Sequence, residues 1–173
     1  RGAYISSPTK QQAREVFDAR RAIEPNVCMI AVERVTDHDI RRLAKHVEAE
    51  QAAHKAGDRR SATRLSGLFH AKLAEITNNP TLERIVMGMV TRTSLIIGMF
   101  GAAGTTILPF DGHAKLLGAI KNKQHRAAAE QMIVHLDHIE EQVNLLFNRE
   151  TSINLIEVFG QKTGVVENLG FPA

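Results

Sequence analysis

The sequence predicts an all-α protein, and three observations carry that expectation. Trp is absent and Pro is scarce, while Ala, Leu, Ile, Glu, Lys and Arg are abundant, a set that favours helix over sheet. Apolar residues recur at spacings of three and four in one segment after another. The 173 residues, 43% hydrophobic and 24% charged, suffice for a single domain with a core of its own.

Residues 1–8, with Gly2 and Ser6-Ser7-Pro8, read as an irregular lead-in of linker type. From about Thr9 to Val35, the positions Val16, Phe17, Ile23, Val27, Ile30 and Ala31 mark a first helix, which Pro25 is expected to bend or divide in two. Thr36 with Asp37 and Asp39 is a helix start, because the hydroxyl caps free N–H groups and the acids complement the positive end of the dipole. This second helix runs to about Ala56 and stops at Gly57. A third, from Arg59 to Thr77, carries the stripe Leu65, Leu68, Phe69, Leu73 and Ile76, with His70 flanking it.

Asn78-Asn79-Pro80 breaks the chain, and Thr81 to Phe100 follows as a long, unusually apolar fourth helix expected at the centre of the fold. Gly101 to Gly112 is a connection that delivers His113 to a fifth helix ending near Asn122. The sixth helix, about Gln124 to Asn148, sets Ala128, Met132, His135, Ile139, Val143 and Leu146 on one face, so that His135 points inward. Beyond Arg149 the helical pattern weakens and glycines accumulate, as in a tail that wraps a partner or lies along the surface. No internal repeat or sustained heptad pattern is evident.

Basic residues number 22 and acidic residues 19, mixed along the chain, so the formal charge of +3 gives little footing for nucleic acid binding by this segment. The clusters Arg14, Arg20, Arg21 and Arg41, Arg42, Lys45 read as solvated helix faces. A lone Cys28 excludes an intramolecular disulfide and suits a reducing compartment. The most apolar run, Leu95 to Ala103, is far shorter than the ~20 residues needed to span a bilayer, and no export signal opens the chain. A cytoplasmic protein without a membrane partner is the default.

His70, His113 and His135 each fall on a different helix. A metal site in a helical bundle must be assembled in this way, since one helix offers only two neighbouring ligands on a face. The alternative is that eight histidines fall on three helices by chance. No His-Glu-x-x-His motif, phosphate loop, nucleophile elbow or general base beside the histidines points to catalysis.

Four pieces, Phe17 to Pro25, Phe69 to Pro80, His113, and Ala129 to Leu136, together resemble the C-terminal effector-binding domain, called FCD, of the FadR subfamily of GntR transcription regulators. The resemblance covers about residues 10–148. It implies an antiparallel bundle of about six or seven helices enclosing a metal and small-molecule pocket, a homodimer, and operator DNA bound by a winged helix-turn-helix that precedes this segment. Residues 1–8 then look like the end of the wing and the interdomain linker, 9–150 the sensing and dimerising domain, and 151–173 a C-terminal tail.

Metal-binding members of that family hold the ion with three histidines and an aspartate four residues before the first. The histidine positions match His70, His113 and His135, but Ser66 stands at the aspartate position. A neutral hydroxyl brings no charge to the ion, so a divalent metal (Zn, Ni or Mn) should bind more weakly, with positions open to an effector carboxylate. Without an ion, the histidines could instead hydrogen-bond an anionic ligand. Arg20, Arg92, Ser66 and Asn79 match effector-binding positions, and a guanidinium fork suits a carboxylate. For Arg92 the rival placement is the solvent side or an internal ion pair, and for Asn79 a helix cap. His138 is a possible substitute ligand, while His38, His46, His54 and His125 read as surface residues. The implied function is a sensor of a small organic acid. Two rivals remain: a three-histidine metal-dependent hydrolase or hydratase, and an oligomerisation module with a vestigial pocket, which dry packing around His70 would favour.

Overall fold

The computed structural model describes residues 8–100 and 111–150, and these form six helices with no strand among them. The expected linker and tail, and the Gly101 to Phe110 connection, fall outside the described residues. Helix α1 spans Lys10–Arg34, α2 Asp37–Lys55, α3 Arg59–Ile76, α4 Pro80–Phe100, α5 Gly112–Lys121 and α6 His125–Glu150.

Local chemistry sets the boundaries. Thr9 and Gln12 form a reciprocal capping box at the start of α1, and Thr36 and Asp39 do the same for α2. Asp58 accepts the Ser61 N–H to open α3. Asn79 Oδ1 accepts from the N–H groups of Thr81 and Leu82, with Pro80 at the first helical position, where a missing N–H costs nothing. After α2 the chain turns through Gly57 at φ +70°, a conformation that glycine adopts without strain.

Pro25 lies inside α1 without dividing it. Proline removes one backbone rung, yet packing holds the helix continuous: Phe17, Val27, Cys28, Ala31 and Val32 on its inner face are fully or almost fully buried. On the open side of this turn the Asn26 side-chain amide donates to the Ala22 carbonyl.

Helix α1, rather than α4, is the central element. It packs against α3, α4, α5 and α6, whereas α4 leaves Ile85, Leu95 and Met99 39–50% exposed. The α1 and α6 helices run antiparallel: Lys123 Nζ, just before α6, donates to the Val32 and Val35 carbonyls at the end of α1, while Ala13 and Phe17 near its start pack with Ile139 and Val143 far along α6. A larger apolar cluster includes Val27, Phe69, Leu73, Leu116, Ile120 and Met132; a smaller one holds Ala13, Phe17, Ile96, Ile139 and Val143. Between them along the chain fall buried polar residues: Arg20 and Glu24 on α1, Thr93 on α4 and His135 on α6. The fold therefore carries a polar layer through an otherwise apolar interior.

Helices α3 and α4 pack tightly at Gly67. A Cβ built there would lie 2.8 Å from Val90 Cγ1 and 3.1 Å from Ser94 Oγ, and a valine cannot swing its methyl aside cheaply. Gly67→Ala should therefore destabilise the protein by about 1–3 kcal/mol through overpacking. Gly118→Ala, in a helix with open space around the new methyl, should stabilise by up to about 1 kcal/mol. Urea unfolding midpoints for the two variants test the pair, and the opposite signs separate a contact effect from helix propensity.

Candidate metal centre and ligand cavity

Three helices each bring one imidazole to the polar layer: α3 gives His70, the first turn of α5 gives His113, and α6 gives His135. All three are buried. Their Nε2 atoms converge, with 3.2 Å between His70 and His135 and 3.3 Å between His70 and His113, and donor atoms of the three rings lie within 4.8 Å of one another. His113, close to the chain segment before α5, is fixed by stacking on Phe69, with ring centroids 4.2 Å apart and planes 24° from parallel.

The opposite ring nitrogens meet carboxylates. Glu50 Oε2 on α2 accepts a hydrogen bond from His113 Nδ1 at 2.7 Å, and Glu24 Oε2 on α1 lies 2.6 Å from His70 Nδ1. The His70 contact is not in line, but at that separation an oxygen lone pair tolerates only a protonated nitrogen. The proton on Nδ1 leaves Nε2 of each ring as a bare lone pair. Two such lone pairs facing each other at 3.3 Å repel unless a positive centre lies against both. The donor set therefore fits a divalent cation, with His70, His113 and His135 as ligands and Glu24 and Glu50 orienting two of them.

Electrostatics agree with that assignment. Burial lowers the pKa of His70 and pushes those of His113 and His135 well below the usual imidazole value, so the rings are neutral near pH 7 and able to ligate. Burial alone would raise Glu24, but His70 and the Arg20 guanidinium beside it hold its carboxyl down at about 2. Burial raises Glu50 to about 6, against the pull of His54, His70 and His46.

Arg20 is not a solvated arginine. It is 2% exposed, with Nε 2.6 Å from Glu24 Oε1, Nη2 3.4 Å from Glu24 Oε2, and Nη1 donating to Thr93 Oγ1 at 3.3 Å. Arg20 lines a cavity of about 940 Å³ shared with Ser66, His70, His135 and His138. Arg92 does not line it: that side chain is exposed on the outer face of α4, and the buried polar residue beside it is Thr93. Asn79 is also exposed, and its side chain serves as the cap of α4. His38 and His125 are exposed as expected, but His46 is buried and donates Nε2–H to the Leu65 carbonyl at 2.7 Å. His54 is half-buried at the cavity, 4.0 Å from Glu50.

Sequence reasoning missed Glu24 and Glu50. A signal for both exists in the helical periodicity. Glu24 falls between Phe17 and Val27 on the inner stripe of α1, and Glu50 continues Leu43 and Val47 on α2, so each carboxylate occupies a core position and must find a partner there.

Glu24→Gln should cost about 3 kcal/mol near pH 7, because Arg20 would remain buried without its counter-charge. With its folded pKa depressed, the Glu24 carboxylate stabilises the fold above about pH 4.5, and that contribution is lost as pH falls toward 2. Urea midpoints across that window, with chelator present, should fall more gently in Glu24→Gln than in the parent. Parallel curves would contradict the assignment.

None of the curated proteins matches this sequence. Among solved structures the chain is similar to Streptococcus agalactiae GntR, with a TM-score of 0.65 and 22% identity over 79% of this chain and 62% of that one. It is also similar to E. coli McbR/YncC, with a TM-score of 0.70 and 21% identity over 82% and 70% of the two chains. The chain thus spans less than two thirds of the streptococcal protein, and identities this low show a shared fold. The profile of the FCD domain matches residues 15–138, and the chain belongs to the FCD domain family.

Proposed function

We propose that this chain is the sensing and dimerising part of a GntR-family transcription regulator. In this reading a small organic acid binds beside a divalent ion held by His70, His113 and His135, and thereby alters operator binding by a winged helix-turn-helix N-terminal to this segment. The observation that carries it is the convergence of three buried imidazoles, ligand atoms within 4.8 Å of one another, with His70 and His135 lining a cavity of about 940 Å³. A vestigial pocket would instead show close packing against His70.

The ion would give the acid a Lewis-acidic seat. The chain's own residues do the rest. Glu24 and Glu50 hold two imidazoles in the ligating tautomer, and Arg20, anchored to Glu24 and Thr93, keeps a positive charge at the cavity wall. Ser66, half-buried on that wall, offers a hydroxyl in place of charge, so the acid itself would balance the ion. Ligand held there would touch α1, α3 and α6 together, and its differential affinity for two helix arrangements sets how far it can shift them.

Dimerisation would use α4. Ile85, Gly88, Arg92, Leu95 and Met99 follow one another at spacings of three and four, on a face that is exposed throughout. Arg92 then serves the interface rather than the pocket.

Metal analysis and unfolding test the first half. Zn²⁺ at about a hundred times its dissociation constant should stabilise the protein by about 2.7 kcal/mol, and chelator or His113→Ala should remove that increment. Calorimetry with short acids on the metal-loaded protein should show binding that His113→Ala abolishes and Arg92→Ala leaves intact. Sedimentation tests the second half: the parent should run as a dimer and Leu95→Lys as a folded monomer. A Leu95→Lys protein that remains dimeric would overturn the α4 interface.

A further inference from the structure

Helix α3 carries the histidine cavity outward to a cationic mouth. Arg59, Thr63, Ser66 and His70 follow one another at spacings of four, three and four along one face, Arg60 and Arg64 flank that face, and all six residues line the cavity. At about 1.5 Å rise per residue, Arg64 stands about 9 Å and Arg60 about 15 Å from His70 along the helix axis. Met87 and Val90 from α4 and Ile139 from α6 give this space apolar surface, beside the hydroxyls of Thr63, Ser66 and Ser94. Asp58 caps α3 at this mouth and keeps its negative charge, but Arg60 and Arg64 outnumber it, while the other acid of the lining, Glu50, lies against His113.

A short monoacid would occupy only the inner end of this space. On the basis of the sensor reading above, we propose that the cavity takes an elongated dianion, with one carboxylate at the histidine cluster, an apolar middle, and a second carboxylate at Arg60 and Arg64. Linear α,ω-dicarboxylates match that order of chemistry. The exposed heads of Arg60 and Arg64 act as a length gauge, since a diacid too short to reach them gains nothing from its second charge.

The test is calorimetry on the Zn²⁺-loaded protein with lactate, glutarate, suberate, sebacate and the monomethyl ester of suberate. Suberate or sebacate should bind roughly tenfold tighter than glutarate and than the monoester, a margin that two partly screened guanidinium contacts can supply. The double variant Arg60→Ala/Arg64→Ala changes only exposed side chains and should erase this margin while leaving lactate binding unchanged. Equal affinity for suberate and its monoester, or an undiminished margin in the double variant, would overturn the inference while lactate binding kept the sensor reading standing. If no acid binds, including lactate, the sensor reading falls and this inference falls with it.

Discussion

A guanidinium, a carboxylate and an imidazole in series tie the first helix to the third. Arg20 grips Glu24 through a short Nε contact, and Glu24 meets His70 at 2.6 Å. All three side chains are buried, where an unmatched charge is expensive, so the arrangement persists only as a complete set. Removing one member leaves the others without compensation. The register of α1 against α3 is thereby fixed by electrostatics as well as by packing, and the imidazole is aimed in the same act.

This polar layer also explains why the interior contains two apolar clusters rather than one. Phe17, Ile139 and Val143 lie to one side of it along their helices; Val27, Leu73 and Met132 lie to the other. Burial on both sides excludes water from the rings, keeps them neutral, and holds two carboxylates near enough to choose their tautomers. The geometry of the candidate site and the folding of the chain thus draw on one set of contacts. Stability gained by replacing the layer with hydrocarbon would come at the expense of the site.

Much of this was legible in the chain because it is periodic. Six helices, their caps at Thr36 and Asn79, and the inward faces of α3 and α6 follow from spacing and from the hydrogen-bonding habits of short polar residues. The three histidines were visible as ligating types on separate helices. What periodicity does not report is which apolar helix is enclosed: α4 has the most hydrophobic sequence yet shows one apolar face outward, and α1, with more charge, sits at the centre. Nor does it separate neighbours. Arg20 and Arg21 adjoin in sequence, but about 100° of helical rotation puts one in the interior and leaves the other bridging Asp18, Asp137 and Glu140 at the rim. Arg92 and Thr93 divide in the same manner.

Pro25 follows directly upon Glu24, so the backbone of α1 lacks a rung beside the most heavily charged turn of the interior. There the helix is braced by side chains: the twofold Arg20 to Glu24 contact within one turn, and the Asn26 amide on the Ala22 carbonyl. The gap in the backbone ladder of the central rod therefore coincides with the level at which its acid meets an imidazole. Substitutions that loosen the Arg20 to Glu24 contact thus act on the helix backbone as well as on the imidazole that Glu24 meets.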